Sequence, residues 1–140
     1  MTDGFEWEKN ERFQRGMEVR RAVVGTAHVD RSVAAADADP FLRPIQQAAV
    51  EFGWGYLWSR PGLDRKQRSM ITLAILTSLY RPHELKVHVR GAINNGLTKA
   101  EIAEVILHAS GYAGLPVGLE ATRLAKEVID EEEKAGRKVL

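Results

Sequence analysis

The stretch that decides the fold of this chain runs over residues 81–116, RPHELKVHVRGAINNGLTKAEIAEVILHASGYAGLP. Its apolar side chains recur at intervals of three and four residues, which is typical of amphipathic helices. The first helix is expected to end at Asn95-Gly96, because glycine readily takes the left-handed conformation that stops a helix. Thr98 and Glu101 form a capping box that begins the second. Two amphipathic helices joined by so short a link predict a helical hairpin.

Glu84 and His88 are the candidate catalytic pair, because they lie one helical turn apart on the first of these helices. A carboxylate beside an imidazole can orient the ring and hold its proton, which suits a general acid or base, and Arg81 lies on the same side. The alternative is a solvent-exposed Glu–His pair of small energetic value. His83 and His88 mimic the zinc motif H-E-x-x-H with a spacing of five. Their rings diverge by roughly 140° and cannot share a metal from one helix face.

Composition excludes several classes of protein. The chain has 140 residues, of which 44% are hydrophobic, enough for the core of one domain. A formal charge of +1 argues against nucleic-acid partners and a polybasic membrane anchor. The absence of cysteine excludes disulfides and thiol chemistry. The acidic start is unlike a signal peptide, and the longest apolar run, 70–80, is too short to span a bilayer. A cytoplasmic protein is expected.

The rest of the chain is also predicted to be helical, because it shows no convincing strand pattern. Helices are predicted over 9–24, over 28–36, and from Pro40 to about Tyr56 with Asp39 as the cap. A further helix runs from a capping box at Asp64 and Gln67 to Tyr80. The helix that begins at Thr98 is expected to end at Gly114 and Pro116, and a last helix covers 119–134. The segment 70–79 is apolar nearly all round, which predicts a buried central helix. The expected fold is a single all-α domain over 1–140, with 1–8 and 135–140 loosely ordered.

Two further features are candidate binding groups. Trp54 and Trp58 lie four residues apart, so both indoles can face one wall, although packing in a core or subunit interface is the usual role of tryptophan. The first turn of the helix after Asp64 carries Arg65, Lys66 and Arg68, where the helix dipole favours acidic residues. Cations beside free backbone N–H groups suit an anionic ligand. The alternative is a solvated basic turn that acidic side chains elsewhere neutralise.

Three segments, 16–32, 54–74 and 83–116, together resemble the carboxymuconolactone decarboxylase family; W-S-R-P-G-L-D-R followed by H-V-R-x-A-x-x-N-G-L-T is specific to it. The resemblance implies an alkylhydroperoxidase D-like helical fold built into homotrimers or homohexamers. It also implies cytoplasmic catabolism of aromatic acids (protocatechuate) through the 3-oxoadipate route, without a metal or organic cofactor.

The peroxidase branch of that superfamily carries a C-x-x-C pair seven and four residues before a histidine that matches His88. Arg81 and Glu84 occupy those two positions here, so no thiolate remains to attack a peroxide. The decarboxylases typically continue V-P-A-A-N after Tyr-Ala-Gly, whereas this chain reads L-P-V-G-L over 115–119. Leu119 thus replaces an amide, which affects the expected substrate.

The family substrate, 4-carboxymuconolactone, is a butenolide with two carboxylates, and its ring accepts the electron pair released with carbon dioxide. The resemblance and residue chemistry nominate Arg68 and Arg20 as carboxylate anchors. Trp54, Trp58 or Tyr112 would surround the departing carboxylate. His88, oriented by Glu84, would donate the proton that yields 3-oxoadipate enol-lactone. His28 and His108 are reserves, although each could sit in a core or interface with its nitrogens satisfied. The alternatives are a cofactor-free decarboxylase or isomerase of a related unsaturated lactone or acid, and a non-catalytic oligomer that binds a small acid.

Overall fold

Helices account for all the regular structure between residues 5 and 140, the part of the chain that this computed structural model describes. The predicted all-α class is therefore confirmed for these residues. The chain divides into two compact units, Met1–Leu63 and Asp64–Leu140, which we call the N-terminal and C-terminal units. The single domain expected over 1–140 stays a prediction. The described residues contain no helix that is long and apolar enough to cross a membrane.

The N-terminal unit consists of short helices joined by tight links. Helix α1 covers Glu11–Val24, α2 covers Thr26–Ala38, a 3-10 turn covers Pro40–Leu42, and α3 covers Arg43–Ala48 and continues as a π-helix over Ala49–Leu57. Asp39 caps the 3-10 turn, as predicted, since its carboxylate accepts the N–H of Phe41 at 3.0 Å. The π-helix was not predicted; its wide i to i+5 hydrogen bonding is seen where Trp58 N–H donates to Gly53 O at 3.0 Å.

Two glycines allow α1 and the π-helix to pack closely. A Cβ on Gly16 would lie 2.1 Å from the carbonyl oxygen of Val50, and one on Gly55 would lie 2.4 Å from the carbonyl oxygen of Arg12. Gly16 lowers the intrinsic stability of α1. Its position in the helix is explained by this backbone contact, which any larger residue would prevent.

The C-terminal unit is built from four helices. These are α4 (Arg65–Ser78), α5 (Pro82–Asn94), α6 (Lys99–Ala113) and α7 (Leu115–Lys134). Their shared core has Leu73 from α4, Leu85 and Val89 from α5, Ile102 and Ile106 from α6, and Leu124 and Val128 from α7. Both predicted capping boxes, at Asp64 and at Thr98, are confirmed.

The two helices predicted for the central hairpin are present as α5 and α6, joined by the short link 95–98. Helices α5 and α6 are consecutive, but each packs against α4 and α7 rather than against the other. They therefore occupy opposite corners of the unit, with α4 and α7 between them. A short link makes two helices neighbours in sequence, but it does not make them pack against each other.

Helix α4 is buried on one face only, which corrects the prediction of a buried central helix. Its buried residues are Ser69, Leu73 and Thr77, four residues apart. The residues two positions further on, Ile71, Ile75 and Leu79, form a second stripe that is exposed to solvent. The apolar sequence therefore supplies two faces, of which the other helices of this unit cover one.

Helix α7 also differs from its predicted bounds. It begins at Leu115 rather than 119, so Pro116 lies in its first turn instead of ending α6. Gly114, with a φ of 111°, separates the two helices.

Both chain ends that were predicted to be loosely ordered make specific contacts where the structure describes them. Trp7 Nε1 donates to Asp37 at 2.6 Å. At the other end Val139 is buried in the core, and Lys99 N–H donates to Leu140 O at 2.6 Å. Residues 1–4 of the predicted N-terminal segment lie outside the described residues.

Candidate active site

Glu84 and His88 lie one turn apart on α5, as their spacing predicts. Pro82 in the first turn of α5 favours a helix start there, and the four-residue spacing sets both side chains on the same side of the helix. Glu84 is exposed, whereas His88 is half-buried and its Nδ1 is inaccessible to solvent. The role of Glu84 in orienting the imidazole stays a prediction.

Arg68 belongs to the same unit as this pair, because α4 packs against α5. The Asp64–Gln67 capping box begins α4, with Gln67 N–H donating to Asp64 Oδ1 at 2.7 Å, and Arg68 follows it directly. The Arg68 side chain is half-buried, and its Nε is inaccessible to solvent. A guanidinium whose stem is enclosed by protein has few rotamers left, which suits directed binding of a carboxylate.

The other cations of this turn differ in their surroundings. Lys66 Nζ lies 2.8 Å from Glu101 Oε1, and the hydrogen bond from Lys66 holds the pKa of the Glu101 carboxyl below its ordinary value. The predicted neutralisation by an acidic side chain thus occurs for Lys66. Arg65 is exposed. The anion-binding role predicted for this turn stays a prediction.

The first turn of α4 also receives a contact that sequence reasoning missed. Asn95 Nδ2 donates to Ser69 Oγ at 2.9 Å and approaches the carbonyl oxygen of Arg65 at 3.3 Å. The sequence explained Asn95 as half of a helix-stopping Asn-Gly pair, which gave no reason to look for a side-chain partner. The partner, Ser69, lies on the neighbouring helix α4. Its contact with Asn95 can be predicted only when the packing of α4 against α5 is known.

The N-terminal unit contains three more of the predicted substrate-binding residues. Arg20 on α1 is 7% exposed, and its Nη1 donates to Gln46 Oε1 at 3.0 Å. The indoles of Trp54 and Trp58 contact each other with ring centroids 5.0 Å apart, as their spacing predicts. Trp54 is buried and Trp58 half-buried. This unit thus holds a buried arginine and an indole pair on two elements that pack together, α1 and the π-helix.

Tyr112 is a predicted site residue that is 88% exposed. Its ring lies 5.3 Å from that of His108, also exposed, so the two form an aromatic pair on the outer surface of α6. His83 is exposed and His28 half-buried. The described residues include no group of three or more His, Asp or Glu side chains arranged to hold a metal ion. A substrate-lining role for Tyr112 stays a prediction.

Comparison with known proteins gives a consistent result. The model of the carboxymuconolactone decarboxylase family matches residues 43–127. A 4-carboxymuconolactone decarboxylase of Acinetobacter baylyi is 44% identical over 129 residues, 92% of this chain and 95% of that protein. A nitrosuccinic acid decarboxylase of Metarhizium robertsii is 44% identical over 119 residues, 85% of this chain and 82% of that protein.

A third relative is an uncharacterized 15.0 kDa protein of Paracoccus denitrificans, 33% identical over 138 residues, 96% of this chain and 99% of that protein. The family match covers more than half of the chain and includes α4, α5 and α6, which hold Arg68, Glu84, His88 and Tyr112. The chain belongs to the carboxymuconolactone decarboxylase family.

Proposed function

We propose that this protein is a cofactor-independent carboxy-lyase that converts 4-carboxymuconolactone to 3-oxoadipate enol-lactone, in cytoplasmic catabolism of protocatechuate. The observation that carries the proposal is the 44% identity, over 92% of the chain, with a 4-carboxymuconolactone decarboxylase. The histidine expected in such an enzyme is present as His88. Both cysteine positions of the thiol peroxidases are occupied by other residues, Arg81 and Glu84.

The reaction needs little from the protein beyond binding and a proton. The bond between the γ carbon of the lactone and its carboxylate carbon breaks, and carbon dioxide leaves. The electron pair moves through the ring double bond into the lactone carbonyl, which gives a dienolate. A proton added to the α carbon completes the product. Because the substrate is its own electron sink, the protein must hold a dianion, stabilise the enolate oxygen and deliver that proton.

The residues supply these three functions by their chemistry. Arginine forks bind carboxylates in a bidentate manner, so Arg68 and Arg20 are the proposed anchors. His88 is the proposed proton donor and partner of the enolate oxygen, with the solvent-inaccessible Nδ1 fixing which ring nitrogen is available. Indole surfaces such as those of Trp54 and Trp58 favour neutral carbon dioxide over a carboxylate, since they do not solvate the anion.

A second substrate is favoured by a specific observation. The nitrosuccinic acid decarboxylase is as similar to this chain as the lactone decarboxylase, each at 44% identity. A nitro group beside a carboxylate also accepts the electron pair of decarboxylation, so the same anchors and proton donor would serve. Leu119, which departs from the usual amide of the decarboxylases, is the residue that favours a related acid over 4-carboxymuconolactone. The other alternative is a protein that binds a small acid without turning it over.

The test is a coupled assay in deuterated water. 4-Carboxymuconolactone is generated in place, the purified protein is added, and NMR follows the appearance of enol-lactone and of deuterium at the α carbon. Nitrosuccinate is assayed in parallel. Acceleration of the first reaction supports the lactone decarboxylase, and acceleration of the second alone supports the related-acid alternative. Thermal stabilisation by a dicarboxylate without any product supports the binder.

Variants of α5 test the proton donor. His88→Gln is expected to lower kcat by about a hundredfold or more, since general acid catalysis contributes that much. His83→Gln is the matched control, because it makes the same substitution on the same helix at an exposed position. A His88→Gln enzyme with the wild-type rate would remove His88 from the mechanism. Arg68→Met is expected to raise KM or abolish activity, and unchanged kinetics would make Arg68 structural.

We also propose that the protein works as a homo-oligomer, as a trimer or hexamer. Leu107, Leu115 and Leu119 surround a groove of about 460 Å³ between α6 and α7, and Leu119 is 72% exposed. Exposed leucines gathered at one groove are typical of interaction sites. The groove's Arg123 and Lys126 are paired with acidic residues of α7 itself, so an apolar partner surface fits best. The α4 stripe Ile71, Ile75 and Leu79 of a second copy has the spacing of a groove-binding helix.

Light scattering during size-exclusion chromatography tests this proposal. An assembly of several chains is expected for the wild type, and Leu119→Asp is expected to shift it towards smaller species. Leu140→Asp is the control, because Leu140 is also exposed but does not line the groove. A wild-type monomer would refute self-association, and an intact Leu119→Asp oligomer would exclude this groove as the interface.

A further inference from the structure

The side chain of Asn95 is not needed to end α5. The backbone already satisfies that helix end: Asn95 N–H donates to Gly91 O at 2.9 Å, Gly96 N–H to Ile93 O at 3.1 Å, and Leu97 N–H to Ala92 O at 3.0 Å. Gly96, with a φ of 89°, provides the left-handed residue. The amide of Asn95 therefore serves some other purpose, and its two contacts both lie on α4.

These contacts span one turn at the start of α4. Ser69, whose Oγ accepts from Asn95 at 2.9 Å, is fully buried, and Arg65, whose carbonyl oxygen lies 3.3 Å from the same nitrogen, is the first residue of the helix. A carbonyl oxygen has two lone pairs, so this one can also accept the helical N–H of Ser69. The amide thus fixes both the rotation of this turn about the α4 axis and its position along that axis, relative to the end of α5.

The turn needs such support because most of its charges oppose the helix dipole. The Asp64 carboxylate caps the N–H of Gln67, but the first turn itself contains no acidic residue, and Arg65, Lys66 and Arg68 place positive charge beside its other N–H groups. The Lys66–Glu101 ion pair supports the turn by neutralising one cation. Asn95 supports it with a neutral group, which leaves the positive charge of the turn unchanged.

We propose that Asn95 is a positioning residue that, through Ser69 and Arg65, holds Arg68 in the orientation in which it binds a substrate carboxylate. Arg68 immediately precedes Ser69, so any rotation of the turn displaces the Arg68 stem. A displacement of about 1 Å at a binding group can lower catalytic efficiency by a hundredfold. The inference rests on the proposed function only for the role of Arg68 as a carboxylate anchor.

The first test needs no substrate. The Arg68 Nε–H is inaccessible to solvent, so its proton is expected to exchange slowly in ¹⁵N-edited NMR spectra. Its resonance is identified by its loss in Arg68→Lys. Asn95→Leu, which keeps the side-chain size and removes both donors, is expected to shift this resonance and to speed its exchange by about tenfold or more. Ser69→Ala is expected to have a similar but smaller effect, because the Arg65 contact remains.

Gln67→Ala is the matched control. It removes the capping box of the same helix, Asp64 N–H to Gln67 Oε1 at 3.0 Å, without touching Asn95. It is expected to lower the melting temperature as Asn95→Leu does and to leave the Arg68 resonance in place. An unchanged resonance in Asn95→Leu would overturn the proposal. Equal changes in Gln67→Ala and Asn95→Leu would also overturn it, since fraying of the helix would then explain both.

Kinetics provide the second test. Asn95→Leu is expected to raise KM for the decarboxylation substrate by about tenfold while kcat changes less than threefold, and to add nothing in an Arg68→Lys background. Additive effects of the two substitutions would refute the link between these residues. If Arg68→Lys alone leaves KM unchanged, Arg68 is not a carboxylate anchor and that part of the proposed function is refuted. The NMR result then still decides whether Asn95 positions Arg68.

Discussion

Replacing Gly118 by alanine should destabilise the C-terminal unit at the point where α7 crosses α6. A Cβ on Gly118 would lie 1.7 Å from Ser110 Oγ and 2.6 Å from Ser110 Cβ. Ser110 is buried and its hydroxyl donates to Ile106 O at 2.7 Å, so moving it aside costs about 1 kcal/mol for that hydrogen bond.

The net magnitude follows from opposing effects. Forcing a methyl group into a packed interior costs about 1–3 kcal/mol, and replacing a helical glycine by alanine returns about 0.5–1 kcal/mol. The free energy of unfolding should therefore fall by about 1–3 kcal/mol, which lowers the melting temperature by roughly 3–10 °C in a chain of this size. Urea unfolding followed by far-UV circular dichroism, at one protein concentration, measures the difference.

Two further variants make this prediction decisive. In Ser110→Gly both offending atoms are absent, and the next neighbour of the new Cβ is Ser110 Cα at 3.7 Å, an ordinary contact. The double variant should recover stability, with a coupling energy of about 1–2 kcal/mol. Gly111→Ala, on α6 with nothing within 4 Å of its Cβ, should be neutral or stabilising. A Gly118→Ala protein as stable as wild type, or no recovery in the double variant, would refute the close crossing.

Two predictions concern helix ends. The pKa of Glu101 is lowered from 4.5, chiefly by Lys66, so its ionised form stabilises the folded chain above about pH 4.5 and this contribution is lost as the pH falls through the lower folded value. Glu101→Gln should flatten that part of the stability curve measured by thermal melts, and an unchanged curve would contradict it. Tyr80 follows α4 with a φ of 52°. Tyr80→Gly should change stability by roughly 0–1 kcal/mol in the stabilising direction, since glycine adopts this conformation without strain; a clear loss in urea unfolding would show that the ring packs usefully.

Local hydrogen bonding explains which parts of the fold the sequence predicted well. The capping boxes at Asp64 and Thr98 depend on residues three positions apart, and the cap at Asp39 on a residue two positions away, so neighbours in the chain determine them. The burial of α4 depends instead on which helices cover it. Its sequence offers two apolar faces, and only packing of α5 and α6 against it reveals that the Leu73 face is covered and the Ile75 face exposed.

In the candidate site, too, the spacing of residues along one helix was predictable and their contacts with other elements were not. Helical periodicity places Glu84 and His88 one turn apart, and the structure agrees, but the contact between them depends on rotamers that spacing does not determine. In the π-helix, Gly55 lies against the carbonyl oxygen of Arg12, a contact between segments more than forty residues apart that the sequence does not show. Lys66 and Asn95 have partners on other helices, Glu101 and Ser69, so their roles become visible only when α4 is seen against α5 and α6.

The position of Tyr112 links the two parts of the proposed function. A side chain that is 88% exposed cannot enclose a substrate in a lone chain, because its ring is surrounded by water except where it meets His108. It can line a site only if another surface covers it, and α6 near Leu107 is the surface that we propose for a second copy. An active monomer would therefore remove Tyr112 from the site and leave His88 untouched. Loss of both assembly and activity in Leu119→Asp, with the fold retained, would instead show that the site needs a neighbouring chain.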